Sequence, residues 1–196
     1  MKETGLMFKA PLVRAVLSGQ KTQTRRSVKP QPAPNHPHDG GTVWVPKDGL
    51  HIPVGSVGHL SVKEKMGISC PMGQLGDRIY VRETFAPYER DCFYRADSGS
   101  AAMDPWKPAI HMPKALARIW LEVTGVRVER LQQITEADCI AEGALGGHGA
   151  IPGYQYSATP LEHFRHIWES TGGDWAANPW VWIIDFRVLS ITGRPQ

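Results

Sequence analysis

Ser18-Gly19-Gln20-Lys21-Thr22-Gln23-Thr24-Arg25-Arg26 sets one lysine, two threonine hydroxyls and two arginines within six consecutive positions. The stretch follows Ala10-Pro11-Leu12-Val13-Arg14-Ala15-Val16-Leu17, which predicts a short helix: Pro11 falls in the first turn, and Leu12, Val13, Val16 and Leu17 recur at helical spacing. Gly19 then provides a residue that ends a helix without steric cost. The polar cluster is therefore expected where a helix pinned to a core opens into a loop, a placement that favours an anionic or strongly polar ligand. The plainer alternative is a solvated basic turn, the usual fate of a charge block.

Charge is segregated around this stretch. Residues 1–30 carry seven Lys/Arg against the single acid Glu3, an excess of +6, whereas the remainder carries 15 Lys/Arg against 18 acids, so the whole chain stands at only +3. A phosphate-bearing partner senses such a field through counterion release and steering, with no sequence preference implied. Of the 196 residues, 41% are hydrophobic, enough for a single ordinary core, and the 20 Gly and 16 Pro favour short strands and turns, so an all-β or α+β class is expected. No apolar run approaches the ~18 residues that would span a bilayer. Met1-Lys2-Glu3-Thr4-Gly5-Leu6 lacks the apolar core of a signal peptide, which leads us to expect a soluble cytoplasmic protein. Cys70, Cys92 and Cys139 are far apart, odd in number and without Cys-x-x-Cys spacing, so they read as reduced core thiols. His36 and His38 lie in a Pro/Gly-rich stretch with no partner motif, and neither a metal nor a cofactor is expected.

Downstream, the segment from Ser27 to Gly76 is rich in Pro and Gly, with Lys29–Pro37 extended and the pieces Thr42–Val45 and Val57–Val62 expected as strands of a hairpin or flap. It is either a lid or ligand wall, or a decorated surface loop. After the Gly76-Asp77 turn, Ile79 and Val81 alternate with Arg78, Tyr80 and Arg82 as in a half-buried strand, and Cys92–Ala96 makes another. Trp106, central in the Pro-punctuated stretch Met103–Pro113, either stacks on a base or plugs the mouth of a barrel. Ala117–Leu131 is the longest strand signal, with Ile119, Leu121 and Val123 on one face and Gly125 marking a bulge or bend. Thr135 and Asp138 form a capping-box pattern that opens a short helix ended by Gly143. Glu142 falls in its last turn, where a carboxylate opposes the helix dipole and hints at a nearby cation. The loop Gly143–Gly149 has neither P-loop nor dinucleotide spacing. Thr159, Pro160 and Glu162 open a second capped helix whose stripe of Leu161, Phe164, Ile167 and Trp168 is core-facing; Asn178–Leu189 then forms a strongly β-prone strand, and Thr192–Gln196 frays.

The pattern Gly19-x-Lys21-Thr22-x-Thr24-x-Arg26 resembles the signature of the ASCH domain family, and the order of elements resembles an ASCH domain over nearly the full chain apart from residues 27–75. That resemblance implies an α+β fold, a PUA-like β-barrel with flanking helices, as a single domain over 1–196 with 27–75 as a long insertion after the first helix. It implies RNA binding and, in one branch, hydrolysis of the amide of an N4-acylated cytidine. In that branch a lysine and a threonine of the first motif and a glutamate of the short helix act together; they fall on Lys21, Thr24 and Glu142, implying Thr24 as nucleophile, Lys21 as proton acceptor and Glu142 as proton donor.

A threonine hydroxyl attacks only if a neighbour takes its proton, and a lysine can do so when burial or cations such as Arg25 and Arg26 depress its pKa. Arg26 suits fixing a carbonyl or phosphate oxygen with its planar fork. Thr22, Arg25 and Trp106 join it as expected contacts to substrate or nucleic acid. The structural alternative for Lys21 and Glu142 is a plain ion pair. Hydrolase-branch proteins are more compact, and this chain looks more like the larger ASCH proteins that phages and prophages encode, a departure that bears on substrate. The expected function is binding of RNA or a modified nucleoside, with amidohydrolase activity first and a ribonuclease acting in the same cleft second. The alternative is a non-catalytic RNA-binding regulatory module. Neither membrane partner nor cofactor is implied, and oligomeric state stays open.

Overall fold

Short apolar runs punctuated by Gly and Pro build strands of four or five residues, and two longer runs reach eleven. The computed structural model describes residues 1–31, 43–47, 50–54, 67–89, 91–97 and 105–196, with backbone alone described at 43–47 and 52–54. In chain order the elements are β1 (Glu3–Met7), α1 (Ala10–Leu17), β2 (Gln23–Ser27), β3 (Val43–Lys47), β4 (Leu50–Val54), β5 (Arg78–Arg82), β6 (Phe85–Tyr88), β7 (Asp91–Tyr94), β8 (Trp120–Arg130), α2 (Glu136–Ala141), α3 (Pro160–Glu169) and β9 (Trp180–Ser190). Five strands form one sheet in the order β1-β5-β8-β9-β2, and β3-β4 and β6-β7 form two-stranded sheets. The class is α+β, as expected, but the large sheet is open. A barrel requires its end strands to hydrogen-bond to each other, whereas β1 and β2 end the order here. Among the described residues no helix is long and apolar enough to cross a membrane.

The chain divides into two compact units, and the division falls inside β8 and β9. One comprises Met1–Thr22, Met72–Thr124 and Phe186–Gln196; the other comprises Gln23–Pro71 and Gly125–Asp185. In the first, β1 runs parallel to β5, from Glu3 opposite Arg78 to Met7 opposite Arg82, and β5 runs antiparallel to the start of β8. Ile79, Val81, Ile119, Leu121 and Val123 are fully buried, and α1 adds Val13 and Val16. Trp120 is fully buried as well, so both faces of this part of β8 are covered and simple alternation understates its burial. The tail expected to fray is pinned instead: Gly193 N donates to Arg118 O at 2.9 Å, Arg194 Nη2 lies 3.0 Å from Glu3 Oε1, and Arg78 Nη1 donates to Pro195 O at 3.3 Å.

In the second unit β2 runs antiparallel to β9, from Gln23 opposite Asp185 to Ser27 opposite Val181. Every residue from Trp180 to Ile184 is buried. Val181 and Ile183 join Leu131, Ile134, Cys139, Phe164 and Trp168 in one apolar cluster. Burying each large side chain of this kind contributes about 1.5–3 kcal/mol. Both helices start as the sequence predicts: Thr135 Oγ1 accepts from Asp138 N and Thr159 Oγ1 from Glu162 N, each at 3.2 Å, with the reciprocal bonds also made. Of the 27–75 segment, the Thr42–Val45 piece overlaps β3, whose hairpin partner is not Val57–Val62 but β4, a strand not expected from the sequence, from Val43 opposite Val54 to Lys47 opposite Leu50; Val57–Val62 lies outside the described residues, as do His36 and His38. His51 ties this hairpin to its unit, its Nε2 lying 3.0 Å from Val126 O and its ring standing edge-on to Trp182.

Candidate functional site

Gln23-Thr24-Arg25-Arg26-Ser27 is a strand, where a loop was expected from the sequence. The reason is its antiparallel register on β9, which pairs all five positions from Gln23 opposite Asp185 to Ser27 opposite Val181. Five polar residues on the outer strand of a sheet ordinarily face water. Here Gln23, Thr24 and Arg25 are buried, Arg25 with only 2% of its surface exposed. A guanidinium in that position costs several kcal/mol, on the order of the desolvation of one ion, unless counter-charges surround it.

α2, which packs on β2, provides them. Its capping box fixes the Asp138 side chain, whose carboxylate accepts from Thr135 N at 3.1 Å and from Thr135 Oγ1 at 2.8 Å. The same carboxylate lies 3.3 Å from Arg25 Nη2 and 3.4 Å from Arg127 Nη2. Burial pushes the Asp138 carboxyl up, but the Thr135 bonds and the charge of Arg25 outweigh it and hold the group below the usual range. At the far end of α2, Glu142 is the C-cap, 6% exposed, and its Oε1 accepts from Arg25 Nη1 at 3.3 Å. The cation that a carboxylate at a helix C-terminus calls for is thus Arg25.

The cluster extends along the strands. Gln23 lies on the same face of β2 as Arg25, accepts from Arg25 Nη1 and donates to Asp185 Oδ1 at 2.7 Å. Arg127 bridges Asp185 Oδ2 at 2.6 Å and Glu129 Oε1 at 2.8 Å. Gly125 makes room for this: a Cβ there would stand 3.0 Å from Asp185 Oδ2. Even so, Arg25 Nε and Nη2 make no hydrogen bond of good geometry among the described residues, so a buried guanidinium keeps donor capacity. Its flat face lies 6.0 Å from the Phe164 ring centroid. Arg26, half-buried, has its pKa lowered by burial, with the charge of Glu142 working against the shift. Cys139 is fully buried, and its thiol is pushed up to about 11, chiefly by burial, which leaves it inert as a nucleophile.

Of the residues singled out from sequence, Thr24, Arg25, Arg26 and Glu142 thus belong to one unit, Thr24 buried on the strand face opposite Arg25. Lys21, Thr22 and Trp106 belong to the other. Lys21 is 1% exposed, its ammonium 5.3 Å above the Phe8 ring centroid. Thr22 is exposed and accepts from Phe186 N at 2.8 Å; Trp106 is half-buried beneath the guanidinium of Arg95. Sequence reasoning missed Gln23, Arg127 and Asp185 and read Asp138 only as a cap. Gln23 was findable, since it stands two positions from Arg25; Arg127 and Asp185 are joined only by tertiary pairing. Among the described residues no group of three or more His, Cys, Asp or Glu could hold a metal ion.

No family model matches the chain, and no curated protein does. Among solved structures, a protein from Enterococcus faecalis V583 assigned to family DUF984 is similar at 11% identity and a TM-score of 0.45, with 100% of this chain and 86% of that one covered. An ASCH domain from Lactobacillus crispatus is similar at 12% identity and a TM-score of 0.41, with 96% and 80% covered.

Proposed function

We propose that this chain binds RNA or a modified nucleoside and hydrolyses the amide of an acylated base, an N4-acylated cytidine first among them. In this reading Thr24 Oγ1 attacks the acyl carbon while Lys21 takes its proton, and the C–N bond breaks as Glu142 protonates the leaving amine. Water then cleaves the threonine ester, releasing the acid and restoring the hydroxyl. The observation that supports the reading is Glu142, a carboxyl group at a helix C-terminus, 6% exposed and 3.3 Å from Arg25 of the strand that carries Thr24 on its other face. Lys21, three positions before Thr24, is buried as well, 1% exposed. The basic excess of residues 1–30 adds attraction for phosphate.

The Arg25–Glu142 pair also favours a second reading, an ion pair that only shapes a non-catalytic RNA-binding module. Turnover of N4-acetylcytidine, followed as released cytidine, separates the two. The enzyme reading expects wild-type turnover that falls at least about a hundredfold in Lys21→Ala and Glu142→Gln, as for loss of a general acid or base. Absence of wild-type turnover, with RNA binding weakened in Lys21→Ala and Arg26→Ala, would leave the binding module.

A further inference from the structure

β6 and β7 pair so that Phe85, Pro87, Cys92 and Tyr94 share one face and Ala86, Tyr88, Asp91 and Phe93 the other. The first face is used by the core: Phe85 clusters with Met112 and Ala117, with Cys92 and Tyr94 packed against them. The second leaves aromatic surface in water, Phe93 being 42% and Tyr88 58% exposed. On the other side of β6, Lys107 exchanges backbone hydrogen bonds with Phe85, at 3.1 and 2.7 Å. That pairing sets its neighbour Trp106 on the second face, where the Arg95 guanidinium lies 5.3 Å from the ring centroid.

Core packing does not call for rings and a cation there. Charge sharpens the point. Arg95 and Lys107 are exposed, and so is Arg14, whose Nη1 donates to Ala96 O at 3.4 Å. The acids at this end, Glu83 and Asp97, are both held by Arg118. Glu89 and Asp91 sit at the hairpin turn, with Arg90 between them in the sequence, at the other end of β7 from Arg95.

We infer that this outward face of the β6–β7 hairpin is a stacking platform for the bases of single-stranded RNA. Trp106 and Phe93 take bases, while Arg95, with Arg14 beside it at Ala96, follows the phosphates. Flat rings accept any base, and exposed cations supply the salt-dependent part of the affinity. The inference rests on the RNA-binding half of the proposed function and adds to it a surface that the amide chemistry does not use.

Fluorescence polarisation with oligouridine and oligoadenine of about ten nucleotides tests it, the length being within the usual span of such surfaces. Trp106→Leu and Phe93→Leu are expected to weaken binding about tenfold each, Trp106→Phe to retain it, and an abasic strand of equal length to bind wild type as poorly as the normal strand binds Trp106→Leu. Wild-type binding that Trp106→Leu and Phe93→Leu leave unchanged, or that an abasic strand matches, overturns the platform while the RNA reading stands. If in addition the two leucine variants lose self-association, the face belongs to a contact with a second copy of the chain. A wild-type protein that binds neither strand at low salt sinks the RNA reading, and the platform with it.

Discussion

Two arginines of this chain are each held between two carboxylates, and the quality of the hold differs. Arg118 meets Glu83 side-on, with Nε at 2.9 Å and Nη2 at 3.1 Å, and meets Asp97 through Nη1 at 2.5 Å and Nη2 at 2.9 Å. Its guanidinium also lies 4.0 Å from the Tyr94 ring centroid. Burial alone would lower its pKa, but the bonds to Glu83 and Asp97 raise it above the ordinary range. Arg25 reaches Glu142 and Asp138 only at 3.3 Å, and two of its nitrogens lack a well-formed bond. A fork that is satisfied on both sides is a clamp between the segments that follow β5 and β7 and the one that precedes β8. A fork buried with donors unspent has capacity left for an oxygen that arrives with a ligand. The contrast separates architecture from the candidate site by how fully each guanidinium is satisfied, the more deeply buried Arg25, its side chain 1% exposed against 17% for that of Arg118, being the less well bonded.

The largest expected effect is on the clamp. Arg118→Met leaves Glu83, 1% exposed, with a buried charge and no partner of opposite sign from this arginine, and a loss of about 3–5 kcal/mol is expected in urea denaturation. Adding Glu83→Gln should recover a good part of that loss. A single-variant loss below about 1 kcal/mol would mean that Glu83 is already protonated, the direction in which burial pushes its pKa against the pull of Arg118, and the clamp would then be a weaker device than its distances suggest. Arg25→Met should cost less, about 1–2 kcal/mol, because Asp138 keeps Thr135 and Arg127 and Gln23 keeps Asp185. Its larger consequence is expected on turnover of an acylated cytidine, since Glu142 loses the partner that orients it. Equal destabilisation by the two arginine substitutions, with turnover untouched by Arg25→Met, would erase the distinction between clamp and site.

How far the sequence alone leads can be judged on the same residues. Local signals were sufficient where local chemistry decides: both capping boxes, the helix at Ala10–Leu17, the strand of Ile79 and Val81, and the need for a cation near Glu142 all follow from neighbours within a few positions. Long-range pairing was not legible. Gln23–Ser27 looks like a polar loop until β9 is laid beside it, and β1 and β2 look like members of a closed barrel until the strand order sets them at opposite ends. Asp138 shows the limit at a single residue: its spacing from Thr135 announces a cap, but nothing in the spacing announces Arg25 and Arg127, which arrive from other strands. The C-terminal tail reads as frayed because its anchors, Glu3, Arg78 and Arg118, lie far upstream.

Asp138 also supplies the smallest and most specific test of the contrast, because it belongs to a helix cap and to the Arg25 cluster at once. Its carboxyl sits below the ordinary value of 3.8: burial works against the shift, and the bonds from Thr135 with the charge of Arg25 prevail. The folded protein therefore gives up this proton more readily than the unfolded chain, so the stability it lends is fully present above 3.8 and is lost as pH falls through the lower folded value. Asp138→Asn retains one acceptor for the cap but removes the charge, and a loss of about 0.5–1 kcal/mol is expected at neutral pH. Urea midpoints of wild type and variant, compared at neutral pH and again well below 3.8, should converge in acid as the wild-type carboxylate takes up its proton. A gap that stays constant through that range would mean that Asp138 acts through its cap geometry alone, and that its charge does no more for Arg25 than a neutral amide would.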